Sequence, residues 1–525
     1  MMDERSIKRT LLSTSADEKR LYRTRIQKFR KSHTLYVILL ASLALLQFIA
    51  IAFFTRGFLL TRQVLDDVAI KTAEYGKFDK AVVLIVDALR FDFVIPVDQD
   101  HQGYSGNFHN NIDVLYESMF ADQGSSLLLK FIADAPTVTL QRLKGLTTGS
   151  LPTFIDAGSN FDGSVIEEDN LIKQMYEQGK QIYFAGDDTW ESLFSPFLSP
   201  HSKYYESFNV WDLDTVDNGV ISYFNEHLLE TANRDWDVLI GHMLGVDHVG
   251  HKYGPNHFTM REKQLQVNDF LIKIKETIDD DTLLVIMGDH GMDHTGNHGG
   301  DSKDELESTL FLYSKRPNMW GLNDPSQYNT TDLGAYYREV NQIDLVPTLS
   351  ILMGLPIPFN NLGWPIEEIA TSSEERDLYA RIALEQLELY KKTSNMVTNS
   401  EKSTMLENAW IEAMGNPSLG AAYQRQFLEV CKDLWTRFDY WSIGTGITLL
   451  TISLVLLLAI TKLIPSIVVG QMVPEFVPWI VTMSLVSNAC LHGLFYVFKQ
   501  PAFLEDALWC SLLATAIGIC VGCCI

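Results

Sequence analysis

Residues 287–301 read MGDHGMDHTGNHGGD. Just before them, residues 282–286 (TLLVI) form an apolar run with the length and β-branched content of a buried strand. Asp289, His290 and His298 therefore fall on a glycine-rich loop at a strand end, where a rigid scaffold displays binding residues. Carboxylate and imidazole among small turn residues are what a divalent metal site requires. Seven of the thirteen histidines lie between His242 and His298, so imidazole is concentrated around this loop.

Outward from that strand, the text between about residues 79 and 370 alternates in character. Strands are predicted at 81–86, 181–185, 237–240, 282–286 and 309–313, and helices at 168–178 and 260–278. The alternation predicts an α/β fold, a largely parallel sheet flanked by helices on both faces. Ligands in such folds bind at the carboxyl ends of the strands. Residues 372–440 are rich in Glu and Leu and poor in Pro, and are expected to form a helical stalk.

Ten Lys or Arg against four Asp or Glu precede Leu35, so +6 sits there and the rest of the −24 chain carries −30. An acidic body excludes nucleic acid as the expected partner, because phosphate backbones need compensating cations. Residues 35–54 are a twenty-residue, largely apolar stretch without a charge, the length of a bilayer span. The basic stretch before them favours a cytoplasmic N-terminus. Further apolar spans are expected at 443–460, 477–498 and 503–521, and the text stops inside apolar sequence, as a truncated chain would. The expected organisation is a cytoplasmic basic segment over 1–34, a signal anchor over 35–55, a large polar domain over 56–371, the stalk over 372–440 and the start of a multi-pass region over 441–525. Only Cys431 lies in the polar region, so no disulfide framework is expected. Asn329-Thr330-Thr331 is a glycosylation sequon.

Four strand ends supply candidate ligands. AVVLIVD ends at Asp87, a position that is commonly only a cap or turn residue. GVDHVGH places Asp247 and His251 four apart, able to converge on one ion if the turn is helical. Asp289-His290 and His298 complete the set. One ion leaves several of these unused, whereas two adjacent ions absorb them all and form a clamp for displacement at phosphorus. The nucleophile is sought in APTVTLQR, where the hydroxyl of Thr137 or Thr139 can ionise beside a divalent ion, or else caps a helix.

Asp87, the Pro-Thr-x-Thr segment, Asp247-x-x-x-His251, GDHG and the later His298 together resemble the metal-site pattern of the alkaline phosphatase superfamily. Its nucleotide pyrophosphatase/phosphodiesterase branch uses the second Thr, which points to Thr139. The C/S-x-P-x-R motif of its sulfatases is missing from the sequence. Longer blocks (IVDALRFDF, APTVTLQRLKGLTTGSLPTFIDAGSNF, GDDTW, GVDHVGHKYGP and NHGGD) are similar to the GPI ethanolamine phosphate transferases, third-mannose type. The resemblance implies an alkaline-phosphatase-like lumenal domain in the endoplasmic reticulum membrane. It implies one ion held by Asp87, Thr139, Asp289 and His290 and a second held by Asp247, His251 and His298. Zinc suits those ligand types and manganese is the alternative. The implied reaction moves phosphoethanolamine from phosphatidylethanolamine to a mannose of a GPI precursor through Thr139, beside a small membrane partner of the phosphatidylinositol-glycan class F type. The ethanolamine ammonium needs a carboxylate or an aromatic face, for which Asp187, Asp188 and Trp190 are candidates; Asp301 is a further candidate substrate contact. The alternative is a membrane-anchored phosphodiesterase or pyrophosphatase using water as acceptor.

Overall fold

Continuous apolar runs such as residues 82–86 and 283–286 have no polar face to turn to water, so they belong inside a sheet covered on both sides. The computed structural model places them there. It describes residues 16–58, 64–70, 75–151, 165–230, 234–321, 331–333, 335–394, 400–435, 438–463, 478–479 and 481–489. Two compact units are present, Thr61–Thr436 and a second made of Met1–Leu60 with Arg437–Ile525.

In the larger unit the strands are β1 (Lys80–Val86), β2 (Ser126–Ile132), β3 (Ile182–Asp187), β4 (Lys203–Tyr205), β5 (Val238–Met243), β6 (Thr282–Met287), β7 (Glu307–Tyr313) and β8 (Glu339–Asn341). They form one sheet in the order β4-β3-β5-β1-β6-β7-β2-β8. Only β7 runs antiparallel to its neighbours, so the sheet is largely parallel, as expected. Alternate residues of β1 enter different layers. Val82, Leu84 and Val86 join one hydrophobic cluster with Leu239 and Leu284, while Val83 and Ile85 join the opposite one with Ile240 and Val285. Helices therefore cover both faces.

The five predicted strands are all present. β4 and β8 have three residues each, too few to display a period. β2 escaped notice because Lys130 interrupts its apolar run; the ammonium is buried but paired with Glu307 (3.2 Å) on β7 and Glu339 (3.4 Å) on β8. The helix predicted at 168–178 covers Leu171–Glu177, because Asn170 caps it by accepting from the Lys173 amide at 2.9 Å. The helix predicted at 260–278 covers Phe258–Thr277, starting earlier because the His257 ring accepts from the Thr259 amide.

The segment read as a stalk is helical over Ser373–Thr393, Ser400–Gly415 and Gly420–Trp435. These helices do not project. Leu384, Leu387, Tyr423 and Phe427 share a buried cluster with Ile343, Phe359 and Leu362 of the α/β body. Cys431 is buried in that cluster and is not disulfide-bonded; the other five cysteines and Asn329 of the sequon lie outside the described residues.

In the smaller unit, Ile38–Phe58 and Tyr440–Ile460 are each long and apolar enough to cross a membrane, with mean hydropathy 2.4. The two helices approach closely at Gly446, where a Cβ would sit 2.6 Å from the Phe54 nitrogen and 2.8 Å from the Ala50 carbonyl. Of the later expected spans, 477–498 is described only in part and 503–521 lies outside the described residues.

Candidate functional site

β1, β2, β5 and β6 point the same way, so the segments leaving their carboxyl ends meet along one edge of the sheet. Asp87 follows β1 directly. Thr139 opens the Thr139–Thr148 helix after β2, and Asp247 and His251 lie on the Gly245–Tyr253 helix after β5. Asp289 and His290 follow β6, and His298 lies on the connection that returns into antiparallel β7. Sequence positions spread over 211 residues (87 to 298) thus converge because the adjacent strands β5, β1 and β6, and β2 beyond antiparallel β7, end on the same edge.

Backbone geometry explains the glycines of the motif. Gly296 has φ +86°, and a Cβ there would lie 2.0 Å from the Gly250 carbonyl oxygen. Its loop therefore rests on the helix that carries Asp247 and His251. Replacing Gly296 by Ala should cost about 1–3 kcal/mol from the left-handed backbone alone, measured as a lowered unfolding midpoint, with metal affinity falling as the loop lifts.

The ligands expected for one ion assemble. His290 Nε2 lies 3.4 Å from Asp87 Oδ1 and 3.3 Å from Asp289 Oδ2, and Thr139 Oγ1 lies 3.2 Å from the same nitrogen and 3.4 Å from Asp87 Oδ2. The second set assembles beside it. Asp247 Oδ1 lies 3.4 Å from His251 Nε2 and 3.5 Å from His298 Nε2. The His290 and His298 rings stack at 4.0 Å between centroids, so the two sets adjoin.

Tautomers decide what these contacts mean. His290 Nδ1 donates to the Gly291 carbonyl at 2.9 Å, and His298 Nδ1 donates to the Thr137 carbonyl at 2.7 Å. Each neutral ring then turns an Nε2 lone pair toward carboxylate oxygens. Asp87 Oδ1, Asp247 Oδ1 and Asp289 Oδ2 are buried and accept no hydrogen bond. Lone pairs facing lone pairs in a dry site repel, and a cation between them removes the conflict. The donor set, carboxylate oxygen and imidazole nitrogen with outer backbone partners, fits a pair of divalent ions.

Where no cation is bound, protons relieve the same conflict. Burial, then Asp289 and Asp247, push the Asp87 carboxyl well above its usual range. Burial and Asp289 push Asp247 up to about 8. Burial lowers His290 to about 3, so it stays unprotonated, as a ligand must be.

Thr137 and Thr139 differ in what they touch. The Thr137 hydroxyl donates to the Gly300 carbonyl at 3.0 Å and accepts from the Gly299 amide at 2.8 Å, tying the His298 loop in place. Only Thr139 directs its hydroxyl between Asp87 and His290.

Asp187 and Trp190 do not face a substrate. They are 1% and 2% exposed, and both hold His242: Asp187 Oδ1 is 3.2 Å and the Trp190 indole nitrogen 3.0 Å from its Nδ1. Reading them as ammonium contacts is corrected by this burial. Asp188 accepts from the Ser207 amide and hydroxyl (3.3 and 2.6 Å), fixing the segment after β4, and Asp301 is exposed. His242, buried at β5, has its Nε2 3.4 Å from Asp87 Oδ2. Burial opposes its charge, but Asp187 and Asp87 outweigh burial and raise its basicity, so it orients Asp87 as a donor. The signal was an imidazole inside an otherwise apolar strand. Asp217 was missed. It is buried and accepts from the Leu244 and Gly245 amides, both at 2.9 Å, anchoring the start of the Asp247 helix.

Comparison with known proteins follows the same lines. Residues 130–346 match the family described as Type I phosphodiesterase / nucleotide pyrophosphatase. The chain is 63% identical to GPI ethanolamine phosphate transferase 3 of Eremothecium gossypii and 61% identical to that of Saccharomyces cerevisiae, over 99% of its own length and 51% and 52% of theirs. It spans about half the length of these relatives. Among solved structures, the lipooligosaccharide phosphoethanolamine transferase A of Neisseria meningitidis aligns with TM-score 0.38 and 14% identity, over 60% of this chain and 62% of that one. Along nearly its whole length, the chain is thus similar to half of a GPI ethanolamine phosphate transferase.

Proposed function

We propose that the protein transfers phosphoethanolamine from phosphatidylethanolamine to a mannose, the third, of a GPI-anchor precursor, with Thr139 as nucleophile. The observation that carries this reading is the aim of two imidazole lone pairs at buried carboxylates around the Thr139 hydroxyl. Asp87, Asp289, His290 and Thr139 hold one ion and Asp247, His251 and His298 the other, zinc by ligand type and manganese as the alternative. Bound there, the ions supply Lewis acidity that favours an ionised hydroxyl and offsets charge on the phosphoryl oxygens. Thr139 Oγ1 forms a bond to phosphorus while the bond to the diacylglycerol oxygen breaks; the hydroxyl proton leaves, and the diacylglycerol oxygen takes one up. A mannose hydroxyl then attacks the same phosphorus, gives up its proton, and Thr139 is released. His242 keeps Asp87 oriented through both steps, and Thr137 keeps His298 in place.

The two membrane-length helices support action on lipid substrates, with the catalytic unit on the lumenal face of the endoplasmic reticulum and the basic segment in the cytosol. We keep the domain division expected from the sequence as part of the proposal, with residues 373–435 packed on the catalytic body rather than projecting as a stalk. A small membrane protein of the phosphatidylinositol-glycan class F type is the proposed partner.

The description of the matched family favours a second reading, hydrolysis of a phosphodiester with water as acceptor. Product analysis separates the two. In membranes lacking the endogenous enzyme, labelled phosphatidylethanolamine should give labelled glycolipid. Label released only as free phosphoethanolamine supports the hydrolase and overturns the transferase.

A further inference from the structure

A cavity of about 490 Å³ lies in the same unit, its walls including Arg90, Asp92, Phe108, Lys130, Asp304 and Glu307. That volume suits a small ligand. The segments that carry the centre also build this cavity: the chain from Asp87 reaches it at Arg90, that from His251 at Pro255, that from His290 at His294, and that from His298 at Lys303. From the geometry we infer that it binds a neutral polyhydroxylated ring, the glycan of the acceptor; this rests on the transfer reading above.

Charge decides the ligand class. The three cations Arg90, Lys130 and Lys303 face the three anions Asp92, Asp304 and Glu307, with His109, 3.4 Å from Asp92, and His294 also in the lining. They are already paired: Arg90 with Asp92 at 2.6 Å and Asp304 at 3.5 Å, Lys130 with Glu307 at 3.2 Å, and Lys303 with Glu307 at 4.0 Å. An anion meets three carboxylates there and an ammonium meets three cations, so each loses in repulsion what it gains. A sugar hydroxyl both donates and accepts, and can bridge the members of an existing pair without a net charge cost. Arg90 and Lys130 are 7% and 8% exposed, so their polar ends are held before a ligand arrives. Phe108, whose ring lies under the Arg90 guanidinium at 5.6 Å, adds an apolar side to the cavity.

The test uses the full chain in detergent and α-linked mannobiose as probe, read by saturation-transfer NMR. Mannobiose should bind, and Phe108→Ala and Asp304→Ala should each weaken it about tenfold. Asp304 is 47% exposed, so its variant carries little risk to folding. Binding should persist in Thr139→Ala. In the membrane assay, Asp304→Ala should shift the partition of phosphoethanolamine from glycolipid toward water by about tenfold. Absence of mannobiose binding, displacement of mannobiose by inorganic phosphate, or an unaltered partition overturns the assignment. The two readings fail separately. If Thr139→Ala still transfers, the proposed function falls; if it does not transfer and mannobiose does not bind, only the cavity assignment falls.

Discussion

Replacing Thr139 by alanine abolishes transfer, by roughly 10^4–10^6-fold in kcat, the loss typical of removing a covalent nucleophile. The fold should survive, because Thr139 is partly exposed and its contacts within the site are the long ones to Asp87 and His290; Asp87, Asp289 and His290 remain to hold that ion, so metal should be retained with weakened affinity. Val138, outside the helix, accepts from the Gln141 and Arg142 amides through its carbonyl, so the helix start does not depend on the hydroxyl. Thr137→Ala makes the contrast. It removes two loop hydrogen bonds and should weaken metal binding while leaving measurable transfer at saturating metal. Labelled-donor transfer, melting temperature and bound-metal analysis on the three proteins together check the assignment. Equal transfer by Thr139→Ala and wild type sinks it.

Removing metal makes the protein less stable as pH rises from about 4 to about 8. Asp247 has an unfolded value near 3.8 and a folded value of about 8, raised by burial and by Asp289. An acid whose folded pKa is raised keeps its proton in the folded chain. Its contribution is therefore most favourable below the unfolded value and is lost as pH climbs through the folded one. Asp87 shifts in the same direction and adds to the slope; His290, lowered by burial to about 3, opposes it below its unfolded value of 6.5, so the fall is clearest above that pH. Bound cations reverse this, because they take the place of the protons. Zinc at a hundred times its dissociation constant should restore about 2.7 kcal/mol at neutral pH. Asp247→Asn should flatten the pH slope of the chelated protein and also remove part of the zinc response. Urea unfolding with and without chelator, across that pH range, measures both. A chelated protein whose stability rises with pH contradicts the account.

Much of this centre was readable in the sequence because strand-end ligands leave local marks: an apolar run followed by Asp87, another followed by Asp289-His290, and Asp247 and His251 one helical turn apart. Convergence followed from the parallel sheet, which puts the carboxyl ends of β1, β2, β5 and β6 on one edge. What stayed hidden depended on non-local contacts. Asp187 and Trp190 look like display residues in GDDTW, yet they turn inward onto His242, two strands of the sheet meeting behind Asp87. Lys130 masked β2 because its partners Glu307 and Glu339 are far away in sequence. The docking of residues 373–435 onto Ile343, Phe359 and Leu362 carries no periodic signal beyond ordinary amphipathic helix.

The central claim is that opposed lone pairs from seven residues enclose two cations. Anomalous diffraction at the zinc edge, on crystals grown with zinc, measures this most directly. The account expects two neighbouring peaks, one among Asp87, Thr139, Asp289 and His290 and one among Asp247, His251 and His298. Peaks confined to surface histidines, with those seven side chains unliganded, contradict it.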